Sequence, residues 1–158
     1  MTISAGERLP DGQFKTMSGE EVVVVETSAF FAGRRVVLFA VPGAFTPGCT
    51  RNHLPDFVRN AETILGKGFD LIACMAVNDA WVMDAWAKST GAQGKITMLA
   101  DGSAHYAKAL GLELDLNHVG MGMRCRRFSM IVDDGVVEQV NIDERFIEKT
   151  SAAHTCGL

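Results

Sequence analysis

Six consecutive apolar residues, Val36-Val-Leu-Phe-Ala-Val41, constrain the fold of this chain more than any other feature. Such a run reads as a strand buried on both faces, so the rest of the chain must supply layers to cover it. The residues that follow change period. Leu54, Phe57, Val58, Ala61, Ile64 and Leu65 recur at intervals of three and four, the spacing of one face of a helix. A second apolar run, Phe69-Asp-Leu-Ile-Ala-Cys-Met-Ala-Val77, is closed by Asn78-Asp79, which can cap a helix over Ala80 to Lys88. Thr97 to Ala100 reads as a third, shorter strand, and Ser103 to Leu110 as a helix stopped by Gly111.

Both ends of the chain carry hairpin signals. Gln13 to Met17 and Val22 to Val25 flank a Ser18-Gly19 turn, with a short helix expected near Ser28 to Phe31. Phe128 to Val132 and Val136 to Ile142 flank Asp133-Asp134-Gly135. Thr150 to Cys156 closes the chain as a short helix. Strands alternating with helices between two hairpins predict an α/β fold, a mixed sheet flanked by helices. With 158 residues, 47% of them hydrophobic, the sequence supports one domain over residues 1–158.

Fifteen basic and 19 acidic residues leave a net charge of −4, spread along the chain, which argues against a nucleic-acid partner. No stretch approaches the roughly 18–20 apolar residues needed to cross a bilayer, and the N-terminal segment Met1-Thr-Ile-Ser-Ala-Gly-Glu-Arg8 is not apolar, so a cytoplasmic address is expected. The four cysteines, Cys49, Cys74, Cys125 and Cys156, are widely spaced and form no C-x-x-C pair. In a reducing compartment that pattern points to catalytic, redox or buried thiols rather than structural disulfides.

Cys49 stands apart because of its setting, Pro42-Gly-Ala-Phe-Thr46-Pro-Gly-Cys49-Thr50, between the first buried strand and the following helix. Unpaired N–H groups and the positive end of a helix dipole favour a thiolate there, the form of cysteine that attacks. Pro42, Thr46 and Cys49 match the Pro-x-x-x-Thr-x-x-Cys motif of peroxiredoxins, and the whole segment resembles that of the peroxiredoxin-five (plant type II) subfamily. The resemblance continues in order through His53-Leu-Pro-Asp-Phe57, Ala76-Val-Asn-Asp79, Ala85-Trp-Ala-Lys88, Leu99-Ala-Asp-Gly-Ser103, Ala109 to Asp115 and Arg126-Arg-Phe-Ser-Met130. It weakens only after Asp143.

This resemblance implies a thioredoxin-like fold and a thiol peroxidase that reduces hydrogen peroxide and alkyl hydroperoxides. It also implies a homodimer with Phe45 to Gly48 near the subunit interface, and it places the family's catalytic arginine on Arg127. The chemistry suits those residue types. Arginine beside the sulfur holds it ionised, the Thr46 hydroxyl is placed to bond both sulfur and peroxide, and the N–H groups of Gly48 and Cys49 can receive the developing oxyanion. Pro42 walls the pocket and shields a Cys49 sulfenic acid from over-oxidation. No metal or organic cofactor is required.

Some residues admit other readings. Arg124 and Arg126 compete with Arg127 on residue type; strand alternation puts Arg127 and Ser129 on one face and Arg126 and Phe128 on the other, without saying which face meets Cys49. His53, four residues after Cys49, could suggest a metal site, but the remaining cysteines and histidines are too scattered to complete one. His105, His118 and His154 read as surface or capping residues, and Trp81 and Trp86 as core or interface anchors.

Resolution of the sulfenic acid is left open by the sequence. Cys74 matches a possible resolving cysteine of plant members but lies inside an apolar strand. Cys156 lies near the C-terminus, as in mammalian members, and Cys125 has no family counterpart. Direct reduction of Cys49 by glutathione, glutaredoxin or thioredoxin is the expected route. Two rival functions are a protein thiol-disulfide oxidoreductase, disfavoured by the missing C-x-x-C, and a redox sensor or holdase presenting an exposed Met121-Gly-Met123 surface.

Overall fold

The computed structural model describes all of residues 1–158. Its elements, in order, are β1 (Gln13–Ser18), β2 (Glu21–Glu26), α1 (Thr27–Phe31), β3 (Arg35–Ala40), a π-helical turn (Cys49–His53), α2 (Leu54–Arg59), α3 (Ala61–Leu65), β4 (Leu71–Ala76), α4 (Ala80–Thr90) and β5 (Thr97–Ala100). Then follow α5 (His105–Ala109), β6 (Glu113–Leu116), a 3₁₀ turn (Asn117–Val119), β7 (Gly122–Cys125), β8 (Arg127–Asp133), β9 (Val136–Asp143) and α6 (Ala152–Cys156).

The first apolar run lies near the middle of a seven-stranded sheet of order β2-β1-β5-β4-β3-β8-β9. β4 runs parallel to β3 and to β5, whereas β8 is antiparallel to β3, pairing Phe128 with Ala40 and Asp133 with Arg35. This register matters for function. The chain leaves the C-terminal end of β3 toward Cys49, and the antiparallel β8 begins at that same end with Arg127.

Alternation along the strands divides the core in two. Val37, Phe39, Ile72, Cys74 and Ile131 face one side, packed by α2, α3, α4 and α6 together with Cys49. Val36, Leu38, Ala73, Met75, Phe128, Met130 and Val132 face the other, packed by α1 and α5. Burying each such aliphatic or aromatic side chain contributes roughly 1.5–3 kcal/mol.

Local signals set the ends of several elements. Asp79 caps α4, its carboxylate accepting the Val82 N–H at 2.8 Å. Asn78, the other capping candidate, reaches across to accept the Ala44 N–H at 3.0 Å and so ties the loop leading to Cys49 to the end of β4. Asp134 and Gly135 both adopt positive φ, 48° and 80°, as a two-residue hairpin turn requires.

Two expectations change, and one element was not anticipated. The single helix expected after Cys49 is divided, with a π turn in which the Leu54 N–H bonds to the Cys49 carbonyl, and a break at Asn60; beyond that break Leu65 is exposed rather than core. Residues 113–125 form a separate two-stranded sheet, β6–β7, which no periodicity announced because its strands have only four residues each. Met121 and Met123 are half-buried rather than an exposed apolar surface, Met123 packing against the second core.

Candidate active site

Cys49 lies in the first turn of a helical segment that opens with Pro47. The first engaged N–H of that segment belongs to Thr50, which bonds to the Thr46 carbonyl at 2.9 Å, so the N–H groups of Gly48 and Cys49 remain without backbone partners. The turn before the helix is strained. Phe45, a bulky residue, sits at φ 64°, in the left-handed region, and its side chain is 54% exposed. The strain is held by Thr46, whose hydroxyl donates to the Gly43 carbonyl at 2.6 Å, and by the Asn78 clamp on Ala44.

That bond alters the role expected of Thr46. A hydroxyl has one proton. With the proton committed to Gly43, Thr46 offers lone pairs to an incoming peroxide O–H, and it makes no hydrogen bond to the sulfur. Gly43 is closely packed: a Cβ there would stand 3.1 Å from Thr46 Cγ2 and 3.3 Å from both Arg124 Nη1 and Met121 Cε, so these side chains would have to shift by a few tenths of an ångström. The β6–β7 sheet thus borders the site through Arg124, with Met121 of the connecting segment beside it; Arg124 is engaged there, donating to the carbonyls of Met121 at 2.8 Å and Val77 at 3.1 Å.

Arg127 is the arginine that reaches the sulfur. Its Nη2 donates to Cys49 Sγ at 3.3 Å and its Nη1 to His53 Nδ1 at 2.7 Å. The face that carries it also carries Ser129, whose hydroxyl meets that of Thr155 at 2.6 Å beneath α6. Arg126 points away and pairs with Glu144 at 3.1 Å.

His53, weighed from the sequence only as a metal ligand, turns out to be the partner of Arg127. It is fully buried, tilted against the stacked rings of Phe39 and Phe57, whose centroids lie 4.1 Å apart. Its Nε2 lies 3.0 Å from the Thr150 carbonyl. A carbonyl can only accept, so Nε2 carries the proton and Nδ1 presents a lone pair to Arg127. Burial, and then the Arg127 charge, push His53 down to about 4, which keeps the imidazole neutral at neutral pH. The one available signal was its spacing of four from Cys49.

Cys49 is 1% exposed. Half-buried Pro42 and Arg127 stand between it and a cleft of about 490 Å³, also lined by Asp115, Arg126, Asp143 and Arg145. The other thiols are placed differently. Cys74 shares the Cys49 side of the sheet but is fully buried between Phe39 of β3 and Met98 of β5. Burial, reinforced by the nearby Cys49, pushes its thiol well above the ordinary value.

Cys125 is buried in the opposite core, and burial likewise raises it. Cys156 is pushed up to about 11 by burial, and its charged neighbours are Lys67, Asp56 and Arg35. Arg35 begins β3, whereas Cys49 follows its other end, about 16 Å away at 3.3 Å per residue. A disulfide needs Cα atoms within roughly 7 Å, and Cys49 and Cys156 are both free thiols in the structure.

Comparison with known proteins sets this geometry in context. The redoxin family model matches residues 4–154. Peroxiredoxin-2C of Oryza sativa subsp. japonica is 47% identical over 143 residues, covering 90% of this chain and 88% of its own length. Chloroplastic peroxiredoxin-2E of Arabidopsis thaliana is 45% identical over 147 residues, 90% of this chain, and the chain spans 63% of that relative's length. Among solved structures, reduced Prx3 from Vibrio vulnificus in complex with hydrogen peroxide has a TM-score of 0.93 at 44% identity, with 97% of this chain and 96% of that one covered. The α/β architecture is thioredoxin-like, as in these structures.

Proposed function

The chain belongs to the redoxin family and is a peroxiredoxin, a thiol-dependent peroxidase; from that premise we propose that Cys49 is its nucleophile and that Thr46, Arg127, Pro42 and the Gly48 and Cys49 N–H groups form the peroxide site. The observation that carries this assignment is the 3.3 Å bond from Arg127 Nη2 to Cys49 Sγ at the opening of a helix.

The Cys49 thiolate attacks one peroxide oxygen. An S–O bond forms as the O–O bond breaks, and the departing oxygen leaves as hydroxide or alkoxide, which takes a proton from solvent to become water or alcohol. Arg127 and the free N–H groups stabilise charge on sulfur and on the departing oxygen, while Thr46 accepts from the peroxide O–H. The Cys49 sulfenic acid then reacts with a thiol, losing water to form a mixed disulfide, which a second thiol reduces.

The proposed substrates are hydrogen peroxide and alkyl hydroperoxides, and the proposed reductant is glutathione with glutaredoxin, or thioredoxin. Burial, which raises the thiols of both Cys74 and Cys156, favours a one-cysteine cycle. Residues 1–158 act as one domain and assemble as a homodimer, a reading supported by exposed Phe45 and Trp81, the latter 64% exposed. Four reduced thiols suit a reducing compartment, and the cytoplasm is the proposed place of action.

Stopped-flow mixing of reduced protein with hydrogen peroxide, followed by intact mass and thiol counting, tests the assignment. A trappable sulfenic acid on Cys49 with the other three thiols free is the expected result. A Cys49→Ser protein that still reduces peroxide would overturn it.

A further inference from the structure

A carboxylate that makes no direct bond to the sulfur is connected to it by an unbroken series of short contacts. Asp143, the last residue of β9 and 7% exposed, accepts the N–H groups of Glu148 at 2.9 Å, Lys149 at 3.2 Å and Thr150 at 2.9 Å, and the Thr150 hydroxyl at 2.8 Å. Burial opposes its ionised form, but these donors, Thr150 foremost, outweigh burial and hold the carboxyl below its ordinary value. Four donors on one carboxylate give the 144–150 segment a single shape. That shape aims the Thr150 carbonyl at His53 Nε2, and the tautomer it selects receives Arg127, which in turn holds Cys49 Sγ.

We propose that Asp143 is a positioning residue for the peroxidase reaction: by locking residues 144–150 it fixes the His53 tautomer that holds Arg127 against the Cys49 sulfur. The inference rests on Cys49 as nucleophile and Arg127 as its partner. Asp143 sits at the terminal rung of the β8–β9 ladder, opposite Arg127, so changing its side chain leaves the rungs from Phe128–Ile142 to Asp133–Val136 in place. Effects of its substitution therefore fall on the following segment and, through the lost charge, on the nearby His53; Thr150→Val leaves that charge in place and isolates the positioning part.

A double-mutant cycle separates positioning from a merely structural role. Asp143→Asn keeps the side-chain volume but sets an NH₂ group against backbone donors. It is expected to slow the reaction of reduced protein with hydrogen peroxide about tenfold. His53→Phe removes both ring nitrogens while preserving the aromatic packing, and in that background Asp143→Asn is expected to slow the reaction less than about twofold further. Equal losses in the two backgrounds, or no loss in the wild-type background, would overturn the proposal.

Thr150→Val, which deletes only one of the four donors, repeats the cycle if Asp143→Asn does not fold, with the same expectation and a smaller first effect. Imidazole nitrogen NMR of the wild-type protein supplies an independent readout. The expected state is a proton on Nε2 with Nδ1 bare, and a proton on Nδ1 would sink the proposal. Peroxide reduction by Cys49→Ser would instead defeat the assignment on which the proposal rests.

Discussion

The Arg127 guanidinium does two things with two nitrogens, and that division governs how the site responds to substitution. One nitrogen holds the sulfur and the other is held by His53. A lysine has a single ammonium and cannot span both partners. Arg127→Lys is expected to lower the peroxide rate constant roughly a hundredfold, measured by stopped flow, with little change in melting temperature. His53 also ties stability to pH. Its folded pKa of about 4 lies below the ordinary 6.5, so the unfolded chain takes up this proton before the folded chain does. Stability associated with neutral His53 is full above about pH 6.5 and is lost as pH falls toward 4, by about 3 kcal/mol across that window. Urea unfolding of wild type and His53→Phe over that range should show a flatter profile for the variant.

The strand and helix that meet at Cys49 act through their packing. Phe39 of β3 stacks on Phe57 of α2 with an interplanar angle of 6°, and this pair walls the His53 ring. Phe39→Ala is expected to cost about 3–5 kcal/mol in denaturant unfolding and to lower activity by loosening His53. Trp86 of α4 donates its indole N–H to the Thr50 hydroxyl at 3.0 Å, pinning the first turn of the helical segment. Thr50→Val leaves that buried donor unpaired and should cost about 1–3 kcal/mol by the same measurement. Much at this scale was legible in the sequence. The apolar run of β3, the Asp79 cap and the alternation that puts Arg127 and Ser129 on one face all follow from local residue patterns. The π turn was not, because the spacing from Leu54 to Ile64 is the same whether or not one wider turn precedes it. The role of His53 was not legible for a different reason: its partners are 74 and 97 positions away in sequence, and no local pattern encodes them.

At the scale of the whole molecule, the exposed aromatic side chains Phe45 and Trp81 are candidates for the contact between two copies. Analytical ultracentrifugation should find a dimer for the wild type and a shift toward monomer for Trp81→Glu; an unchanged dimer would place the contact elsewhere. Phe45 belongs to the strained turn that precedes Thr46, so a partner resting on it would bear directly on the peroxide site. The burial of the sulfur has its own kinetic consequence. With Cys49 only 1% exposed, access to the sulfur requires its surroundings to give way, and the movement needed grows with the size of the molecule that must enter. Turnover supplied by a protein thiol is therefore expected to level off at high carrier concentration more sharply than turnover supplied by a small thiol, a difference steady-state kinetics would read, so the shelter of the sulfur would double as a clock on its return.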